Sequence, residues 1–501
     1  MVRMCSQDLK PFSIVEGQGF IEVAKELINI GAKYGSSAEV EDVLPSARTV
    51  SRHVEDEYKK VKKHVIDELK QCPDWAVTTD LWAEERTNTH YITVTVHYIL
   101  GWKLLNRVLA SREIMGEFGI LSKDVVVVTD NGSNVVAAFK DYTRLSCAGH
   151  TINLILKYTF DHLDVENPLH SPVINLFRDV KTLVTHFKRA GLQKALDRSL
   201  KQAVETRWNT ILAMLQSVRD ALRSDPDLLE DIIRLLEPFD EATRHLSTDQ
   251  TPSLHLVFPT KATLLRGLLL QDGDSVIVKE LKGILGQAVE LKFKINLYHK
   301  IATALSPSLR CFLRKTLNAE EYEEVINTLA AITERVGIVA RTSVQQEDPP
   351  HLVATGTEVH SFFSSCVQEE EWEDLGNTYE SWSRKLVLKY MNEPTKMTGQ
   401  SLLNFWQEMS GELVPVARKL LAIPATSTPS ERSFSVAGRL IEERRTSLSP
   451  ECVDTLLLLH SNKEGEQIRE VVAVEEDPPV PEGHRKVQAQ KDQSGGGPPV
   501  V

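Results

Sequence analysis

Two aspartates close β-rich runs in this chain: Asp80 in TTDLW (78–82) and Asp130 in VVTDNGSN (127–134). If those strands lie side by side, both carboxylates stand at one edge, because neighbouring strands are ~4.8 Å apart. Like charges that close repel, and one would take up a proton unless a cation sat between them. Hard divalent ions such as Mg²⁺ or Mn²⁺ supply that cation and activate water against a phosphodiester. Such a site wants a third carboxylate, which strand periodicity does not single out. Taken singly, a strand ending in Asp and a DNG tripeptide read more simply as turns. A second pair, Cys147 and His150, stands at i,i+3 and so shares a helical face. Zinc would need two further ligands at suitable spacing and none is near, so no structural zinc is expected.

The elements that must position these residues follow from periodicity. Residues 1–72 read as helical, with Thr49 as an N-cap and Val54, Tyr58, Val61, Val65 and Leu69 at helical spacing. Lys59, Lys60, Lys62 and Lys63 lie opposite, beside Glu55, Asp56 and Glu57. They read either as an import or phosphate-contacting patch or, more simply, as a solvated face. From Cys72 the texture turns to strands. DWAVTTDLW (74–82), THYITVTVHYIL (89–100) and WKLLNRVLAS (102–111) are joined by RTN and GW, loops short enough for antiparallel hairpins. DVVVVTDNGSN (124–134) is apolar on both faces and predicts a central strand of a covered sheet. A three-strand meander followed by such a strand suggests a ribonuclease-H-like sheet.

From about His150 to Leu421 the 3.6 period dominates, which predicts a separate or inserted helical domain, with 344–360 and 369–374 as loops. Further on, Ser430 is expected to cap a helix beginning near Glu431, and Pro450 to open another. That second helix, ECVDTLLLLHSN (451–462), is apolar almost all round and must be buried. Beyond Lys463 the composition shifts to Glu, Gln, Pro and Gly, the signature of a disordered tail.

Composition narrows the class. The 501 residues are 42% hydrophobic and 26% charged, the balance of a soluble globular chain of two or three domains. No apolar run approaches the ~18 residues of a membrane span, and the first ten residues lack a secretory apolar stretch. Six scattered cysteines read as free thiols in a reducing compartment, cytosolic or nuclear. A net charge of −12 confines any DNA contact to local basic patches.

Five motifs then occur in order: TTDLW, VVTDNGSNVVAAF (127–139), CAGHTINLIL (147–156), ETRWNT (205–210) and IPATSTPSERSFSVAGRLIEERRTSLSPECVDTLLLLHSN (423–462). With LKPFSIVEGQGF (9–20) and LPSARTVSRHV (44–54) before them, the series resembles the hAT superfamily of cut-and-paste transposases. BED-finger (ZBED-type) domesticated relatives are part of that resemblance, which spans residues 9–462.

The resemblance implies an α/β plus all-α fold: a ribonuclease-H-like mixed sheet interrupted by a large helical insertion. Its boundaries would be an N-terminal helical, pre-core segment over 1–72, the first part of the core over 73–160 and the insertion over 161–420. A C-terminal dimerisation region over 421–463 would complete the core, leaving 464–501 as the tail. The implied triad is Asp80, Asp130 and Glu431, binding two Mg²⁺ or Mn²⁺ ions. Cys147 and His150 match an element associated with transposon-end DNA, a buried cysteine with a capping histidine being the plain alternative. Trp208 matches a tryptophan that stacks on an unstacked base, whereas its helical pattern alone favours the core. Val453, Leu456, Leu457 and Leu459 fall in the dimerisation region, with intramolecular burial as the simpler reading.

Two departures are expected to matter. Only Cys5 precedes Cys72, so no BED finger can be built within the chain. The connection 111–123 is at the lower limit for a crossover, which predicts an uncovered sheet face and a displaced Asp130. The leading expectation is therefore a nuclear protein that forms a homodimer or higher homo-oligomer and binds duplex DNA without turnover. The alternative is an active, metal-dependent DNA transposase.

Overall fold

Ser46 starts the first packed helix: its hydroxyl accepts the Thr49 N–H at 3.2 Å and leaves residue 47 as the first helical position. Thr49, the expected cap, is the capped residue instead. The computed structural model describes residues 14–35, 44–109, 125–342, 381–432 and 450–462, apart from 15, 73, 85–88, 205–207, 223–226 and 395–399. The loops expected over 344–360 and 369–374, the connection 111–123 and the tail 464–501 lie outside the described residues.

Helix α1 (Gln18–Tyr34) buries none of its residues, whereas α2 (Ala47–Gln71) buries Val65 and Leu69. Five strands follow: β1 (Ala76–Glu84), β2 (Thr89–Leu100), β3 (Lys103–Val108), β4 (Val126–Thr129) and, after the short α3 (Ser133–Ala138), β5 (Thr143–Ser146). Then come α4 (Ala148–Asp161), α5 (Ser171–Arg189), α6 (Trp208–Leu222), α7 (Asp227–Leu246), α8 (Val257–Gly267) and α9 (Val276–Lys292). The helical run continues through α10 (Leu297–Ala304), α11 (Arg310–Thr316), α12 (Ala319–Thr342), α13 (Trp382–Asn392), α14 (Leu402–Glu408) and α15 (Leu413–Leu421). Helix α16 (Pro450–Ser461) closes the described chain.

The sheet order is β3-β2-β1-β4-β5. The β3-β2-β1 meander is antiparallel, and β4 and β5 are parallel to β1. The β2–β3 hairpin turns on Gly101 (φ 55°) and Trp102 (φ 56°), the paired left-handed residues that suit the right-handed twist of a two-residue turn. A tryptophan there is strained. The Arg418 guanidinium of α15 lies 4.9 Å from its ring and helps to hold it.

Successive strand residues face opposite ways, so each strand contributes to two cores. Ala76, Ile99, Val126, Val128 and Leu145 face the helical block and share one continuous core with it. The block is thus packed onto the sheet rather than standing as a separate body. Val77, Val96, Tyr98 and Val127 face the other way, under Val65 and Leu69 of α2, Val135 of α3 and Leu458 of α16. The expected bare face is therefore not found: Val77, Val96 and Val127 have no exposed surface. Helices from the two ends of the chain provide the cover, which a local reading of 111–123 misses.

One ionic knot fixes α2 to that face. Glu68 accepts from Tyr98 Oη at 2.6 Å and from Arg107 Nε and Nη2 at 2.8 and 3.0 Å, with His64 Nε2 at 3.1 Å. Burial alone would raise the Glu68 carboxyl, but the hydrogen bonds from Arg107 and Tyr98 more than offset it and hold it below its usual range. Of the lysines opposite, Lys59, Lys60 and Lys63 are exposed, with Lys59 paired to Asp56 and Lys60 to Glu57, and Lys62 is half-buried over the Tyr58 ring.

Removing one partner of a buried pair strands the other charge, so Glu68→Ala should cost about 3–5 kcal/mol, and adding Arg107→Met should recover part of that in urea titrations. A second expectation concerns acid. Burial lowers His97, His255 and His299 to about 4, about 3 and about 4. An unfolded histidine titrates near ~6.5, so the unfolded chain takes up more protons below that pH. Stability present above it should therefore fall as pH drops towards 5, by up to about 1.4 kcal/mol per pH unit per histidine. Equal urea midpoints at pH 7 and pH 5 would contradict this.

Candidate functional site

The parallel pairing of β1 with β4 runs Ala76–Val126, Val77–Val127, Thr78–Val128. The same step carried two residues further sets Asp80 level with Asp130, just past the end of β4. Both residues are half-buried. One edge of two adjacent strands thus carries both aspartates. Asp130 Oδ1 accepts the Gly132 N–H at 3.2 Å, folding the turn back on itself. A Cβ at Gly132 would stand 3.3 and 3.4 Å from the two Asp130 carboxylate oxygens, so glycine leaves that carboxylate its room.

Arg144 of β5 pins this turn, and no sequence pattern points to it. Its Nη1 donates to Asp130 O at 2.9 Å and to Thr129 Oγ1 at 3.0 Å, and its Nη2 donates to Asn131 Oδ1 at 3.2 Å. Ser146 Oγ adds a bond to Asn131 Oδ1 at 2.8 Å. The signal missed is the i+2 alternation of Arg144 and Ser146 along β5, which puts both on the face that Thr129 shares.

Residues 425–432 arrive from beyond the helical block and are stitched to the same edge. Ala148 N donates to Ala425 O at 2.9 Å, and Ser427 N to the Cys147 thiol at 3.3 Å. The thiol also accepts His150 N at 3.3 Å, while Cys147 N donates to Thr129 O at 2.7 Å. Cys147 therefore caps α4 and joins the residue before Asp130 to the segment that carries Glu431. Cys147 is buried, and the cap is the cysteine itself, to which His150 contributes its backbone N–H. Burial first, and the Glu431 charge more weakly, push the thiol pKa up, which keeps it protonated. Gly149 permits the contact, since a Cβ there would lie 3.3 Å from Thr426 Cγ2.

Ser430 does not cap a helix at Glu431. The helical turn begins at residue 428, and the Ser427 carbonyl receives the N–H groups of Ser430 and Glu431 at 2.9 and 3.2 Å. Ser430 instead seats the turn on the sheet, with its hydroxyl 2.8 Å from Thr78 Oγ1 and 3.2 Å from Thr95 Oγ1. Thr93 Oγ1 reaches Ser430 O at 3.5 Å. Thr78 is two residues before Asp80 on one face, and Thr93 is the register partner of Asp80. The neighbour of Glu431 is thereby anchored on the strand pair that bears Asp80.

Among the described residues, no group of three or more His, Cys, Asp or Glu side chains is gathered to hold a metal ion. Asp80, Asp130 and Glu431 share a neighbourhood through their backbones without forming a ready ligand set. Trp208 opens α6 with its side chain 5% exposed, its main-chain N–H on Asn153 Oδ1 at 3.3 Å and its indole in the core. Val453 and Leu457 are buried inside the monomer, where α16 lies against α2 and β3, and Leu456 and Leu459 are half-buried. Asn462 Nδ2 ties the end of that helix to Val108 O at 3.0 Å.

Comparison with known proteins adds to this geometry. Residues 1–49 match the family model of the Hermes transposase DNA-binding domain, and residues 386–463 match the hAT family C-terminal dimerisation region. By these two matches the chain is similar to hAT-type transposases. The dimerisation match starts upstream of residue 421 and takes in most of α13, all of α14 and α15, and α16. The chain is 28% identical over 294 residues to the transposable element Hobo transposase of Drosophila melanogaster, covering 52% of this chain and 45% of that protein. Zinc finger protein 618 of Mus musculus is 23% identical across 92% of this chain and 50% of its own length. Zinc finger BED domain-containing protein 4 of Homo sapiens is 22% identical across 92% and 43%. The chain spans about half the length of these curated relatives.

Replacing Cys147 by Ala removes the acceptor of two buried N–H groups, at about 1–3 kcal/mol. Amide hydrogen exchange over 425–432 should quicken while exchange in α5 and α9 stays unchanged. An unaltered profile would show that the thiol does not hold the segment.

Proposed function

We propose that this hAT-type chain is a nuclear protein that binds duplex DNA through its N-terminal segment, dimerises through its C-terminal region and binds without cleaving. The observation that carries the reading is the presence, in one chain, of the Hermes-type DNA-binding match at 1–49 and the hAT dimerisation match at 386–463. Helix α1 supports it, because it buries nothing and exposes Lys25 and Lys33 on a chain whose net charge is −12. Local cations of that kind are what an acidic protein needs to meet phosphate. The half-buried Leu456 and Leu459 are the residues of α16 left to contribute to a partner surface. The burial of Cys147 and Trp208 favours scaffold roles over DNA contact.

The order β3-β2-β1-β4-β5, an antiparallel meander followed by two parallel strands, supports reading the core as ribonuclease-H-like. On that reading the domains are 1–72, 73–160, an insertion over 161–420, a completing region over 421–463, and a tail. A second function is favoured by the register that sets Asp80 level with Asp130 and by the seating of Ser430 beside them: cleavage dependent on Mg²⁺ or Mn²⁺. Asp80, Asp130 and Glu431 would be its ligands. As they stand, those carboxylates are not gathered into a ligand set among the described residues.

The test uses the full chain with a fluorescent duplex at ~50 mM salt. The double variant Lys25→Glu, Lys33→Glu should weaken binding at least ~10-fold and lower the slope of log affinity against log salt by about 2. Sedimentation velocity should show a dimer that Leu456→Asp with Leu459→Asp shifts to monomer. Unaltered DNA affinity in the first variant, or a monomeric wild type, defeats the leading reading. Strand scission that requires Mn²⁺ and vanishes in Asp80→Asn establishes the second.

A further inference from the structure

The residues on either side of Glu431 belong to one closed circuit of hydrogen bonds. Ser430 Oγ lies 2.8 Å from Thr78 Oγ1, which lies 2.9 Å from His97 Nε2. His97 Nδ1 is 2.6 Å from Asn106 Oδ1, and Asn106 Nδ2 donates to Asp249 O at 2.8 Å. The Asp249 carboxylate pairs with Arg432, whose Nη2 also donates to Ser247 O at 3.3 Å. Arg432 returns through the backbone to Ser430, with Glu431 between them. The circuit crosses β1, β2 and β3, the segment after α7, and the turn at 428–432.

The direction of each proton follows from the first donor. Asn106 gives its amide N–H to a carbonyl, so its oxygen must accept, and His97 must carry a proton on Nδ1. His97 is 1% exposed, with only hydroxyl and amide partners, and burial lowers its pKa to about 4, so at neutral pH the ring is neutral. Its Nε2 is then a lone pair that accepts the Thr78 O–H. The Thr78 oxygen accepts the Ser430 O–H, and the Ser430 oxygen accepts from Thr95 at 3.2 Å. Thr78 and Ser430 have no exposed surface, so a broken link leaves a buried polar group unpaired. A circuit also resists displacement better than a chain, because moving the turn must break it on both sides of Glu431.

We infer that His97, held as the neutral Nδ1–H tautomer, is a positioning residue that locks the turn at 428–432, and with it the backbone of Glu431, onto β1 and β2. The role of Glu431 rests on the second, cleavage reading; the circuit itself does not.

Thr78→Val deletes the hydroxyl between His97 and Ser430 while keeping the side-chain shape, and Thr78→Ser restores it. In wild type, ¹⁵N shifts of the His97 imidazole should report Nδ1 protonated and Nε2 bare at pH 7. In Thr78→Val the Nε2 signal should move and amide exchange over 430–432 should rise at least ~10-fold, with Thr78→Ser behaving as wild type. An Nε2–H or doubly protonated His97, or wild-type exchange in Thr78→Val, overturns the inference. A wild type that never nicks DNA overturns the cleavage reading and with it the role of Glu431, while tautomer and exchange still decide the circuit.

Discussion

The architecture depends on how buried backbone and hydroxyl groups are paired where residues 425–432 meet the sheet. Ala425, Thr426, Ser427 and Ser430 of that segment are buried, so their polar groups need protein partners. Their partners are unusual ones. The thiol of Cys147 accepts the Ser427 N–H, and the Ser430 hydroxyl lies between the threonine hydroxyls of β1 and β2, while the Ser430 N–H goes to the Ser427 carbonyl. Threonine on a strand facing the helical block would otherwise be a costly choice for a core position. Thr78, Thr93 and Thr95 are there because a distant piece of chain must be received.

That constraint explains how two different kinds of element share one core. The sheet is a local product of sequence: a meander closed by short turns, then parallel strands. The helical block is a local product too, since its apolar stripes recur at 3.6 residues. The two meet across Ala76, Ile99, Val126, Val128 and Leu145, and the chain then returns to the sheet edge after α15. Glu68, Tyr98 and Arg107 perform the matching task on the other face, where α2 and α16 close over the strands. A ribbon of polar groups therefore holds each face in register, and apolar area holds the layers together.

Function follows the same division. The segments that match DNA-binding and dimerisation models lie at or towards the chain ends, at 1–49 and 386–463, and the sheet lies between them. Because α16 is packed on α2 and β3, the C-terminal region is part of the monomer before it meets any partner. Val453 and Leu457 serve that internal purpose. An apolar helix with nearly all-round leucines can bury one side within the chain and still offer another.

What was legible without coordinates was whatever repeats locally. The alternation in 89–100, the valine run at 125–128 and the helical stripes stated element type and order, and the strand ends marked Asp80 and Asp130. The cap at Ser46 was missed for Thr49 because both are hydroxyl residues within one turn, and only the backbone angles separate them. The roles of His97 and Asn106 had no local signature, and neither the alternation of Arg144 with Ser146 nor the spacing of Cys147 from His150 names the distant partner. Each acts on residues from another strand or another end of the chain, over separations such as the 280 positions between Cys147 and Ser427. Periodicity describes how a segment faces its own neighbourhood. Which distant hydroxyl, thiol or guanidinium fills a buried valence is decided only when tertiary packing excludes water and makes that pairing obligatory.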